Sequence, residues 1–109
     1  MEKINGLFQD YYDDGKLKFE GEYLNGKRNG KGKEYFCFKL IFEGEYLNGE
    51  RNGKGKEYIG YKDGLIFEGE YLNGKRNGKG KEYDDGKLKF EGDYSKGKRN
   101  GKGKEYDYL

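Results

Sequence analysis

The sequence predicts an all-β fold: one elongated, twisted, single antiparallel sheet made of consecutive β-hairpins. Three observations lead there. A seventeen-residue unit that starts at Phe19 returns at Phe42, Phe67 and Phe90. Inside the unit, aromatic residues alternate with charged ones at a period of two, the period of a strand and not of a helix. Asn-Gly and Asp-Gly pairs, which favour tight chain reversal, punctuate the alternating runs.

The unit reads Phe19-Glu20-Gly21-Glu22-Tyr23-Leu24-Asn25-Gly26-Lys27-Arg28-Asn29-Gly30-Lys31-Gly32-Lys33-Glu34-Tyr35, and its copies differ in connector length but never in core length. Such constancy marks one structural unit joined by turns. The chain opens with half a unit over residues 1–18, in which Asn5-Gly6 aligns with Asn29-Gly30 and Tyr11 with Tyr35. Repeats follow over about 19–41, 42–66, 67–89 and 90–109.

In each unit the first strand should place Phe19, Gly21 and Tyr23 on one face and Glu20 and Glu22 on the other. Asn25-Gly26 and Asn29-Gly30 then mark the reversal, and a second strand runs from about Lys31 to Tyr35. Asp13-Asp14-Gly15, Lys62-Asp63-Gly64 and Asp84-Asp85-Gly86 return the chain to the next unit. About nine strands at roughly 4.8 Å each give a ribbon about 40 Å long. Gly21 and Gly32 leave room for rings to lie over them, while Glu20 and Glu22 pair with Lys31 and Lys33 on the opposite side. Strict alternation puts Tyr35 with the lysines. Either a β-bulge shifts it or Glu34 points inward, and the bulge is the preferred reading.

Composition bounds the function. With 31% hydrophobic and 40% charged residues the chain borders on the disordered class, but 12 Tyr and 7 Phe oppose disorder. A net charge of +2 is too balanced for a duplex nucleic-acid binder. Cys37 is the single cysteine, so no internal disulfide forms, which fits a reducing compartment. The first six residues lack the apolar core of a signal peptide, and a cytoplasmic protein is expected.

Taken together, Phe19-Glu20-Gly21-Glu22-Tyr23 and the following Asn25-Gly26-Lys27-Arg28-Asn29-Gly30-Lys31-Gly32 resemble the MORN (membrane occupation and recognition nexus) repeat. The resemblance spans nearly the whole chain, 1–109, with tyrosine at 23, 46, 71 and 94 where the family often has tryptophan. It implies an elongated, curved sheet of hairpins and a scaffold at the membrane periphery or cytoskeleton. Some members are linked to anionic phospholipids, and others grip a partner along an aromatic groove.

The expected function is therefore a non-catalytic scaffold holding a protein partner in a groove lined by Phe19, Tyr23, Phe42, Tyr46, Phe67, Tyr71, Phe90 and Tyr94. The alternative is peripheral binding to anionic membrane lipid through a basic edge stripe of Lys27, Arg28, Arg51, Lys54, Lys75, Arg76, Lys98 and Arg99. Catalysis has little to work with. There is no histidine, Ser95 is the one serine, and Cys37 has no base to activate it. No cofactor is expected. No metal is either, because Asp13-Asp14-Gly15 lacks the ligand spacing of a calcium loop. Gly30-Lys31-Gly32-Lys33 lacks the pattern of a phosphate loop. No nucleic acid is expected, and the open strands at the sheet ends offer a route to self-association. The connector Phe36-Cys37-Phe38-Lys39-Leu40-Ile41, apolar where the others carry Asp-Gly, reads equally as a partner patch or as local core.

Overall fold

The computed structural model describes residues 3–60 and 64–108. Nine strands follow one another: β1 (Gly6–Tyr11), β2 (Leu17–Leu24), β3 (Lys27–Phe36), β4 (Lys39–Leu47), β5 (Glu50–Ile59), β6 (Gly64–Leu72), β7 (Lys75–Asp84), β8 (Lys87–Ser95) and β9 (Lys98–Glu105). Spatial order equals sequence order, and every neighbouring pair is antiparallel. The meander measures 55 × 27 × 17 Å. Its radius of gyration, 15.4 Å, exceeds the roughly 13 Å of a compact chain of this length.

Six of the reversals among the described residues use two-residue loops with both residues at positive φ, the twist-matched hairpin turn, while Tyr12 to Lys16 join β1 to β2 with Gly15 alone at positive φ. Asn25 and Gly26 sit at φ 52° and 81°, and Asp85 and Gly86 at 51° and 81°. The second Asn-Gly pair does not turn the chain. Gly30, at φ 103°, lies inside β3 and shifts the register between Gly21 and Tyr23, so this strand begins at Lys27 and not at Lys31. The turn expected at Lys62-Asp63 lies outside the described residues.

The sheet makes its own core on one face. Phe19, Phe42 and Phe67 are 0% exposed, and Tyr46, Tyr71, Phe90 and Tyr94 are also buried. Each phenylalanine lies over its glycine pair: a Cβ at Gly21 would come 2.9 Å from the Phe19 ring. Its edges meet two tyrosines, as Phe42 meets Tyr46 at 5.8 Å and Tyr71 at 5.2 Å, both nearly perpendicular. An arginine closes the top, with the Arg51 guanidinium 3.9 Å from the Phe42 centroid. Rings thus zigzag from Phe8 and Tyr23 through all four repeats to Phe90. Edge-to-face rings and stacked guanidinium do the covering that a second layer of structure does in most domains.

The preferred account of Tyr35 is overturned. Glu34 pairs with Phe19 across the strands and faces the rings, while the Tyr35 hydroxyl donates to Glu20 on the charged face. A register shift does occur between Glu34 and Tyr35 in the β3–β4 pairing, but it leaves Glu34 on the core side.

Candidate binding groove

The inward carboxylate is what joins one repeat to the next. Glu34 accepts hydrogen bonds from the Tyr46 hydroxyl and, at 2.9 Å, from Arg51 Nε of the following repeat. Glu57 accepts from Tyr71 and from Arg76 Nε and Nη2 at 2.9 and 3.1 Å. Glu82 does the same for Tyr94 and Arg99. Burial pushes the Glu34 and Glu57 carboxyls up, but the hydrogen bonds from arginine and tyrosine outweigh it and hold both below the ordinary carboxylate range. The tyrosine hydroxyls are pushed up, first by burial and then by the carboxylate each one serves.

This arrangement corrects both expected sites. The rings proposed as a groove lining are core: Phe19, Phe42, Phe67, Phe90, Tyr46, Tyr71 and Tyr94 are buried against glycine backbone and one another, and Tyr23 packs on them half-buried. A partner cannot reach the seven buried rings without opening the sheet. The basic stripe separates into three groups. Arg28, Arg51, Arg76 and Arg99 lie over Phe19, Phe42, Phe67 and Phe90, and the last three are paired with Glu34, Glu57 and Glu82. Lys27, Lys75 and Lys98 open their strands just after the hairpin turns, and Lys54 stands on the opposite face of the sheet.

That opposite face is hollow. A groove of about 2090 Å³ crosses all nine strands, lined by glycine backbone and by charged side chains, with Leu7, Phe8, Gln9 and Tyr11 at one end. The pairing register writes its pattern. Glu20 lies opposite Lys33, Lys33 opposite Glu43, Glu43 opposite Lys56, and the alternation continues through Glu68, Lys81 and Glu91 to Lys104. A second row beside it pairs Lys31 with Glu45, Lys54 with Glu70 and Lys79 with Asp93. Like charges therefore recur every second strand, about 9.6 Å apart. Glu22 does not pair side chain to side chain with Lys31 as expected; its carboxylate takes the Lys31 amide at 2.6 Å, where the bulge frees it.

Tyrosines brace these rows. Tyr35 donates to Glu20 at 2.8 Å, Tyr58 to Glu43 at 2.6 Å, Tyr83 to Glu68 at 2.6 Å and Tyr106 to Glu91 at 2.6 Å. Burial and the adjacent carboxylate push the Tyr35, Tyr58 and Tyr83 hydroxyls up to about 12.

The apolar connector does not thicken the core at its tip. Phe36, Cys37 and Phe38 are exposed, with Phe36 edge-on to Tyr12 and Lys16 over Phe38. Asp14 of the first turn takes the Lys16 amide at 3.0 Å. Among the described residues no group of three or more acidic, histidine or cysteine side chains could hold a metal ion, and no helix is long and apolar enough to cross a membrane.

Period-two reading missed the Glu34–Tyr46–Arg51 link. A signal was there: Arg51 persists where its neighbour changes from Lys27 to Glu50, as a residue tied into the core would. The family model for the MORN repeat matches the chain at four places, residues 19–37, 42–59, 67–87 and 90–108. No curated protein matches it.

Proposed function

Because the chain belongs to the MORN repeat family, we propose that it is a non-catalytic scaffold that holds a protein partner along its hollow face. The observation that carries this reading is the groove of about 2090 Å³, bounded by in-register rows of lysine and carboxylate, on the side away from the buried rings. A partner seated there meets both charge signs at fixed spacing, which favours register and specificity over raw affinity. The sequence supplies no histidine and no paired acids set apart from the repeat, so nothing in it argues for turnover.

The lipid alternative loses its main support, since the arginines of the supposed stripe are committed to the rings and to Glu34, Glu57 and Glu82. The test is site-specific photocrosslinking in cells. A crosslinker at Lys56 or Lys81 should trap a defined partner, and one at Lys75, just past a hairpin turn, should not. Exchanging the signs of Glu43, Lys56, Glu68 and Lys81 should abolish capture while the circular dichroism spectrum is retained. Equal trapping from both places, or capture that survives the exchange, defeats the proposal.

A further inference from the structure

The two edges of the sheet are chemically unlike. β9 carries Lys98, Lys102 and Lys104, the usual protection of an edge strand against joining another sheet. β1 carries no lysine. Where the repeats have Lys31, Gly32 and Lys33 it has Leu7, Phe8 and Gln9, and the matching register with β2 (Phe8 opposite Gly21, Gln9 opposite Glu20) confirms the alignment. Leu7 is 83% exposed, Phe8 43% and Tyr11 52%.

We propose that the β1 edge is an interface for a second copy of this chain, with β1 pairing antiparallel to β1 of the partner about a two-fold axis at Phe8. The pairing is self-complementary. Leu7 falls opposite the partner's Gln9, and Phe8 opposite the partner's Phe8, so no like charges meet. Phe8 already stands edge-on to Tyr23 at 5.5 Å, and the second Phe8 prolongs the ring zigzag. The antiparallel sense also carries the Lys3 end of each copy towards the acidic Asp10-to-Asp14 end of the other. The same operation at β9, centred on Gly103, would set Lys102 against Lys104, and like charges directly opposite are unfavourable. The two grooves then run on as one hollow face across both copies. This interface does not depend on what the groove holds.

Sedimentation velocity from low to high micromolar concentration should show the mass of the 12.7 kDa chain double. The variant Leu7→Lys/Gln9→Lys only restores the residues of the other repeats and should fold. It sets lysine against lysine twice and should weaken association about 100-fold or more. Phe8→Gly, again a repeat residue, should weaken it without adding charge. Spin labels on the exposed Cys37 report the geometry. Summing strand spacing and rise per residue, pairing through β1 puts the labels about 45 Å apart, and pairing through β9 about 65 Å. A monomer at every concentration, an assembly indifferent to the lysine variant, or the longer distance each overturns the proposal.

Discussion

Phe42→Ala tests the idea that the ring row is the core of a sheet with no second layer. Phe42 is 0% exposed, touches Tyr46 and Tyr71 edge-on and lies under Arg51. Truncating a buried phenylalanine costs about 3–5 kcal/mol. A domain of this size has about 5–15 kcal/mol in all, so about a fifth of the stability or more should go. Phe90 supplies the internal comparison. It is 7% exposed and meets one tyrosine ring, Tyr94 at 5.9 Å, where Phe42 meets two. With one edge-to-face pair fewer, worth about 0.5–1.5 kcal/mol, Phe90→Ala should cost about 1 kcal/mol less than Phe42→Ala. Urea unfolding followed by tyrosine fluorescence measures both. Hydrogen exchange adds a spatial readout: in a stack coupled only to nearest neighbours, β2 to β5 should lose protection before β7 and β8. A cost below about 1 kcal/mol for Phe42→Ala, or equal costs at the two positions, would refute the zigzag as the main source of stability.

Three further outcomes are expected. Gly80→Ala should destabilise by about 1–3 kcal/mol, because its Cβ would come 2.6 Å from the Phe67 ring and 2.9 Å from Tyr94, whereas Gly64→Ala, with open space around it, should be near neutral in the same urea assay. Cys37 and Phe38 occupy a hairpin turn at φ 50° and 67°, so Cys37→Asn/Phe38→Gly should stabilise by about 1 kcal/mol, read as a rise in the thermal midpoint. Stability against pH should form a plateau with two falling sides. Glu34 and Glu57 are held below their ordinary 4.5, so their contribution is complete above that pH and is lost as pH falls through the lower folded values. Tyr35, Tyr58 and Tyr83 are raised from 10 to about 12, so the unfolded chain ionises first and stability declines between those values. Circular dichroism across the pH range checks both limits.

Much of this was readable because the repeat is simple. Period two put Phe19 and Tyr23 on one face and Glu20 and Lys33 on the other, and the Asn25-Gly26 signal gave the reversal. What escaped was whatever alternation does not encode. Gly30 reads as a turn glycine but acts as a bulge, since positive φ serves both. Strict alternation sets Glu34 on the ring face, but a carboxylate among aromatic rings makes sense only once Tyr46 and Arg51 of the next repeat are seen to satisfy it, so a bulge looked the better account. The side that is hollow follows from sheet curvature, which no local pattern states. Placing the groove on the ring face was the natural error: rings suggest binding, but a one-layer sheet has only its own rings with which to exclude water.

The same economy limits how a partner can be recognised. Charges that alternate every strand cancel within about 9.6 Å, close to the screening length of roughly 8 Å at physiological salt. The hollow face therefore projects little field and acts at contact, so a partner gains specificity from matching the spacing and little from long-range steering. Yet identical repeats make that match degenerate, since a partner displaced by one hairpin meets nearly the same rows. Register must come from where the pattern breaks. The largest break in the groove is at β1, where Leu7 and Gln9 interrupt the lysine positions. A smaller one is Asp93, which stands where Glu45 and Glu70 stand in other repeats and holds Lys79 at 2.5 Å. An anchor at the uncharged β1 stretch, the end of the groove in one chain and its centre in the paired assembly, would fix the alignment of everything along the groove. Leu7→Lys, compared at concentrations where the chain is single, should therefore loosen the positioning of a partner more than any single exchange in the middle of the rows.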